Sequence, residues 1–104
     1  MRKDLNRFRA GIFKALADPI RLEILEILRE GEKCVCEITP LLGLPQPIIS
    51  RNLAILRRAG LVKVRSQGNR RIYSITSLSI YRLIDTMTVD LVNMLAKHAL
   101  EHLA

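Results

Sequence analysis

From Ile38 to Ile84 the chain contains no aspartate and no glutamate, although Arg51, Arg57, Arg58, Lys63, Arg65, Arg70, Arg71 and Arg82 all fall in that stretch. Nothing there repels phosphate oxygens, and one-sided charge of this kind is what a surface meeting them needs. Other things are scarce too. Tryptophan is absent and aromatics make up 4%, against a hydrophobic share of 49%. Burial must therefore come from many aliphatic side chains, more than a small two-layer domain hides, and a subunit interface accounts for the surplus. No apolar run approaches the ~18 residues of a membrane span, and the charged start, Met1 to Asn6, has no signal-peptide core behind it. A cytoplasmic protein with no membrane partner is the expectation. The only cysteines, Cys34 and Cys36, are too close to staple a fold, so in a reducing compartment they read as ligands or redox-active thiols. The only histidines, His98 and His102, sit near the end, and no Ser/His/Asp, Cys/His or phosphate-loop arrangement accompanies them. That argues against an enzyme.

The 104 residues suffice for one domain with its own core, and no linker or repeat divides residues 1–104. The net charge is +7, and from Ser77 onward Arg82 and Lys97 face Asp85, Asp90 and Glu101, so the whole surplus lies upstream. Polyanions or acidic membranes are the partners such a balance suits. Leu5, Phe8, Ile12 and Leu16 predict an opening helix over 4–16. Asp18-Pro19 starts a second, whose stripe Ile20, Ile24, Ile27 and Leu28 ends before Gly31. A short helix falls within 35–42, weakened at its start by Pro40, and after Gly43 comes a helix over 47–58 with Ile49, Leu53 and Leu56 inward. Gln46, Ile48, Ser50, Arg51 and Arg58 are left facing elsewhere. Past Gly60, Val62 and Val64 alternate with Lys63 and Arg65, Gln67-Gly68-Asn69 turns the chain, and Arg71, Tyr73 and Ile75 return it. A long helix over 77–103 closes the chain with the stripe Ile80, Ile84, Met87, Leu91, Met94 and Leu95. This order implies a mostly α fold with a small β-hairpin, a winged helix-turn-helix with residues 35–58 as the helix-turn-helix and 61–76 as the wing. Residues 1–17 and 77–104 serve as dimerisation helices, with Phe8, Ile12, Ile80, Ile84, Met87 and Leu91 in the interface or, for some of them, in the intrachain core. Double-stranded DNA is the expected ligand.

Four segments carry a resemblance. Phe13-Lys-Ala-Leu-Ala-Asp-Pro-Ile-Arg21, Cys34-Val-Cys36, Ser50-Arg-Asn-Leu-Ala-Ile-Leu-Arg-Arg-Ala-Gly-Leu-Val62 and Gln67-Gly-Asn-Arg-Arg-Ile-Tyr73 look like the arsenic-repressor (ArsR/SmtB) metal sensors of bacteria and archaea, over roughly residues 12–76. The resemblance implies a dimeric winged-helix repressor that blocks a promoter when ligand-free and leaves it when a thiophilic ion binds. In the major groove, Gln46 and Ser50 can then reach base edges, Ile48 a thymine methyl, and Arg51 a guanine or a phosphate. Arg65, Gln67, Asn69, Arg70 and Arg71 form a cationic wing suited to flanking phosphates or the minor groove. Pro45 and Pro47 stand where such proteins carry serines.

Two residues apart on a regular helix are separated by about 200°, so Cys34 and Cys36 on one helix face opposite ways. Two thiolates share an ion only within roughly 4 Å of each other, with bonds near 2.3 Å, so ligation is expected to uncoil the helix start. Thiolates select As(III), Sb(III), Cd(II), Pb(II), Cu(I) or Zn(II) over hard ions, and the resemblance favours trivalent arsenic or antimony as inducer, with no cofactor otherwise required. Thr39 stands where many such proteins have a third cysteine. Redox sensing is the alternative, with oxidation bridging subunits or capping a thiol with a small molecule because a Cys-x-Cys ring is strained, and idle half-buried cysteines on a ligand-independent regulator are another. Some relatives bind zinc on the last helix, across the dimer, and Asp85, His98, Glu101 and His102 partly fit that spacing.

Overall fold

Asp18 caps the second helix as the Asp-Pro pair predicts: its carboxylate accepts from the N–H groups of Ile20 (2.8 Å) and Arg21 (3.2 Å), while Pro19 occupies a first-turn position that needs no donor. The computed structural model describes residues 1–103. In chain order the elements are α1 (Arg2–Leu16), α2 (Pro19–Leu28), β1 (Lys33–Cys34), α3 (Val35–Leu42), α4 (Gln46–Arg58), β2 (Val62–Gln67), β3 (Arg70–Ile75), α5 (Ser79–Asp85) and α6 (Val89–Leu103). Helices α3 and α4 lie within residues 35–58, and strands β2 and β3 within 61–76.

Ile24, Leu25 and Leu28 of α2, Ile38 of α3, and Ile49, Leu53 and Leu56 of α4 are fully buried, and Leu61, Val62, Tyr73 and Tyr81 complete the cluster. Each such aliphatic side chain contributes roughly 1.5–3 kcal/mol of transfer free energy, so this cluster fixes how α4 is presented. The Tyr81 hydroxyl donates to the Leu25 carbonyl at 2.6 Å, and the Arg29 guanidinium lies 4.2 Å over its ring. These contacts seat α5 on α2.

The sheet is antiparallel in the order β1-β3-β2. Register runs from Val62↔Ile75 to Gln67↔Arg70, leaving Gly68-Asn69 as a two-residue turn with Gly68 at φ +60. The expected three-residue turn is one shorter because Gln67 pairs, and Gly68 supplies the left-handed position that a tight hairpin needs. The third strand, β1, joins by Lys33↔Tyr73 and Cys34↔Ile72. Two residues are too few to show alternation, so periodicity does not reveal it.

The closing helix expected over 77–103 is broken. Thr86 Oγ1 donates to the Arg82 carbonyl (2.7 Å), Met87 N–H to Ile84, and Thr88 Oγ1 accepts from Leu91 N–H (3.1 Å) as a cap for α6. Two threonine hydroxyls thus offer the backbone an alternative to helix, while the apolar stripe runs on across the break and hides it. Ile12, Ile80 and Ile84, expected at a dimer interface, pack on the intrachain core, whereas Phe8 and Met87 remain exposed. None of the residues of α6 is buried. No helix among the described residues is long and apolar enough to cross a membrane.

Candidate nucleic-acid interface and thiol pair

Burial of Ile49, Leu53 and Leu56 leaves the other faces of α4 free. Gln46 and Arg51 are exposed, Ile48 and Ser50 half-buried, and the Gln46 amide donates to Ser50 Oγ at 3.0 Å. The helix has no side-chain cap at Pro45; instead Ile48 and Ile49 donate to the Pro45 carbonyl. One clamp was not read from the sequence. Buried Asn52 gives its amide hydrogen to the Ile48 carbonyl (2.9 Å) and accepts from Arg21 Nη1 (3.1 Å), while Arg21 also donates to the Ala15 and Lys14 carbonyls at the end of α1. Arg21 thereby satisfies orphan carbonyls of one helix and fixes another. The Asp-Pro-x-Arg pattern held the signal, since an arginine on the first turn after a cap faces back toward the preceding helix end.

On the wing, Arg65, Gln67, Asn69, Arg70 and Arg71 are all exposed. Two of the arginines are already engaged. Arg65 forks onto Glu32, with Nη2 at 2.6 Å and Nε at 3.1 Å, and Arg70 Nη2 lies 3.2 Å from Glu37 Oε1. The Arg65 hydrogen bond holds the Glu32 carboxyl below the usual carboxylate range.

The thiols depart from expectation. Cys34 is extended (φ −75°, ψ 153°), ending β1 and capping α3, and only Cys36 lies in the helix. The opposite-faces argument needs helical dihedrals at both residues, and Cys34 lacks them. Their Cα atoms are 5.1 Å apart and the sulfurs form an intrachain disulfide. No uncoiling is required to bring the sulfurs together, and pairing within the chain replaces the expected bridge between subunits. Cys36 N–H donates to Cys34 Sγ, and Cys34 N–H to the Glu37 carboxylate at 3.0 Å. Glu37, three residues after the cap, has the capping-box spacing that identifies it in the sequence. Cys34 is buried and Cys36 exposed. Cys34, Cys36, Gln46, Ser50, Asn69, Arg70 and Arg71 line one cleft of about 510 Å³, and Arg70 Nη2 is 3.8 Å from Cys36 Sγ. Thr39 Oγ1 donates to the Val35 carbonyl at 2.8 Å, so its hydroxyl is spent on the helix backbone.

The second metal set is not assembled in one chain. Both Asp85 oxygens accept from Arg29 at 2.9 Å, which holds that carboxyl below its usual range. His98 and Glu101 are 3.8 Å apart on α6, beyond the break from Asp85, and His102 joins neither. Among the described residues no three His, Cys, Asp or Glu side chains gather to hold a metal.

Comparison with known proteins bears on the family to which the chain belongs. The family model described as bacterial regulatory protein, arsR family, matches residues 18–64, from the Asp18 cap into β2. The uncharacterized HTH-type transcriptional regulator MJ1325 of Methanocaldococcus jannaschii is 46% identical over 82 residues, covering 75% of this chain and 92% of that protein. The arsenic resistance transcriptional regulator ArsR1 of Pseudomonas putida is 55% identical over 58 residues, covering 55% of this chain and 45% of that protein. The solution structure of the homodimeric winged helix-turn-helix DNA-binding domain Mb0332 from Mycobacterium bovis matches with a TM-score of 0.74 at 36% identity, covering 97% of this chain and 89% of the other. The chain therefore belongs to the arsR family of winged-helix transcriptional regulators.

Proposed function

We propose that this chain acts as a homodimeric repressor that holds operator DNA when its thiols are free and releases it when a thiophilic ion, As(III) or Sb(III) before Cd(II), Pb(II) or Zn(II), binds Cys34 and Cys36. It is a regulator and not an enzyme, as its family is. Gln46 and Ser50 read base edges, Arg51 takes a guanine or phosphate, and half-buried Ile48 contributes a short apolar contact. Arg65, Gln67, Asn69, Arg70 and Arg71 meet the flanking backbone. Phe8, Met87 and the exposed apolar residues of α6 pair two copies so that their α4 helices fall about one DNA turn apart, ~34–36 Å.

One observation carries the reading: the sulfurs line the same cleft as the first turn of α4 and the wing arginines. A bound trivalent ion supplies two metalloid–sulfur bonds in place of two metalloid–oxygen bonds, with release of two waters. The residues Cys34 and Cys36 hold it, and because Cys34 pairs with Ile72 of β3, the strain reaches the wing first. This route needs no uncoiling of the start of α3, because Cys34 is already extended. Ligation then shifts the population toward a wing geometry that cannot engage both half-sites. A third ligand comes from outside the chain's thiols, since Thr39 is turned away. Footprinting on a duplex selected from a random pool should show two protected half-sites that vanish with arsenite. Protection unchanged by every soft ion at saturating occupancy contradicts the reading.

The Cys34–Cys36 disulfide supports a second reading, a thiol-redox regulator. Its signature is reversible loss of two hydrogen atoms per chain with oxidant, accompanied by a change in DNA affinity without any ion bound.

A further inference from the structure

We infer that Glu32 and Glu37 are built-in competitors of DNA phosphate: each occupies a wing arginine, Arg65 and Arg70 respectively, which must leave its carboxylate before it can reach the duplex. The inference rests on the reading of the wing as a DNA contact. Between Ile38 and Ile84 there is no acid at all, so the wing has no counter-ion of its own. Both partners come instead from the segment just before that stretch, the one carrying the cysteines, across 33 positions in each case. Capture is selective, since Arg51 and Arg71 form no ion pair among the described residues. A guanidinium fork binds carboxylate and phosphate through the same donors, so the two acceptors are mutually exclusive. All four side chains are exposed, and such a pair shifts an equilibrium only by a factor of about two to five. The carboxylates therefore tune affinity and favour release without preventing binding. Glu37 also accepts from Cys34 N–H, so it sits where chemistry at the sulfurs moves it.

Glu37→Gln is a clean test, because the amide oxygen keeps the cap on Cys34 N–H while the charge is lost. Duplex affinity is measured by fluorescence anisotropy for wild type, Glu37→Gln, Arg70→Ala and the double variant, with folding checked by circular dichroism. Glu37→Gln should bind about threefold to fivefold tighter at low salt, and the gain should shrink to near nothing in the Arg70→Ala background and at high salt. Glu32→Gln should behave likewise with Arg65→Ala. An equal gain in both backgrounds reveals a general charge effect and overturns the latch, as does no gain. Folded protein that binds no duplex in any variant, wild type included, overturns the DNA reading itself, a distinguishable result.

Discussion

The body made of α2, α3, α4 and the sheet and the helices at the two ends are stabilised differently. Among the described residues every fully buried side chain lies in the body, whereas α1 has only Ala15 and Leu16 buried, with Ile12 half-buried beside them, and α6 has none. Yet the ends are not polar. Phe8 is 75% exposed, Met94 56% and Leu100 67%. One chain thus satisfies the body that presents α4 and the wing, while the ends keep exposed apolar surface, which the proposed homodimer would cover.

The largest effect expected from this contrast is at Leu25, in the body. Leu25→Ala should cost about 2–5 kcal/mol in urea unfolding, because the site is enclosed on all sides and cannot collapse around the void. A loss below about 1 kcal/mol means the body is looser than its burial indicates. At the ends the outcome should differ in kind. Leu95→Asp on α6 should leave far-UV circular dichroism nearly intact while weakening dimerisation by roughly 2–4 kcal/mol, seen as monomer at micromolar concentration in sedimentation. An unchanged dimer moves the interface elsewhere. Arg51→Ala should weaken duplex binding by about 1–3 kcal/mol and spare both fold and dimer, and an unaffected footprint removes Arg51 from the contact. The smallest effect concerns pH. The Glu32 and Asp85 carboxyls are held below their usual range by hydrogen bonds from Arg65 and Arg29. A depressed folded-state pKa stabilises above the unfolded value, about 4, and that contribution is lost as pH falls through the folded value. Carboxyl-carbon titration by NMR should give both side chains midpoints below free glutamate and aspartate; midpoints at the free values dissolve the two pairs.

The body was the legible part. Asp18-Pro19, the inward triad Ile49, Leu53 and Leu56, and the Gly68 turn each have a local cause that the sequence displays, and each element appears where that cause predicts. The errors share another origin. Strand β1 is created by its partner β3, and so Cys34 takes an extended conformation that no local pattern announces. The α5–α6 break is decided by two threonine hydroxyls beneath an uninterrupted apolar stripe. Ile12, Ile80 and Ile84 are half-buried against the intrachain core, and a stripe's period shows that a face is covered without showing by which chain. Of the site, the hairpin pattern displays the exposed arginines Arg65, Arg70 and Arg71, but the carboxylates that hold Arg65 and Arg70 lie 33 positions away, beyond any local pattern.

The proposed switch requires that the Cys34–Cys36 pair control whether DNA is held. Reduced wild type and the Cys34→Ser/Cys36→Ser variant, each bound to the same selected duplex, are titrated with arsenite while native mass spectrometry counts ions per dimer. Equal initial affinity is expected, with release of wild type as each chain takes up one ion and a variant that takes up none and stays bound. Release of the serine variant at the same arsenite concentration would contradict the switch.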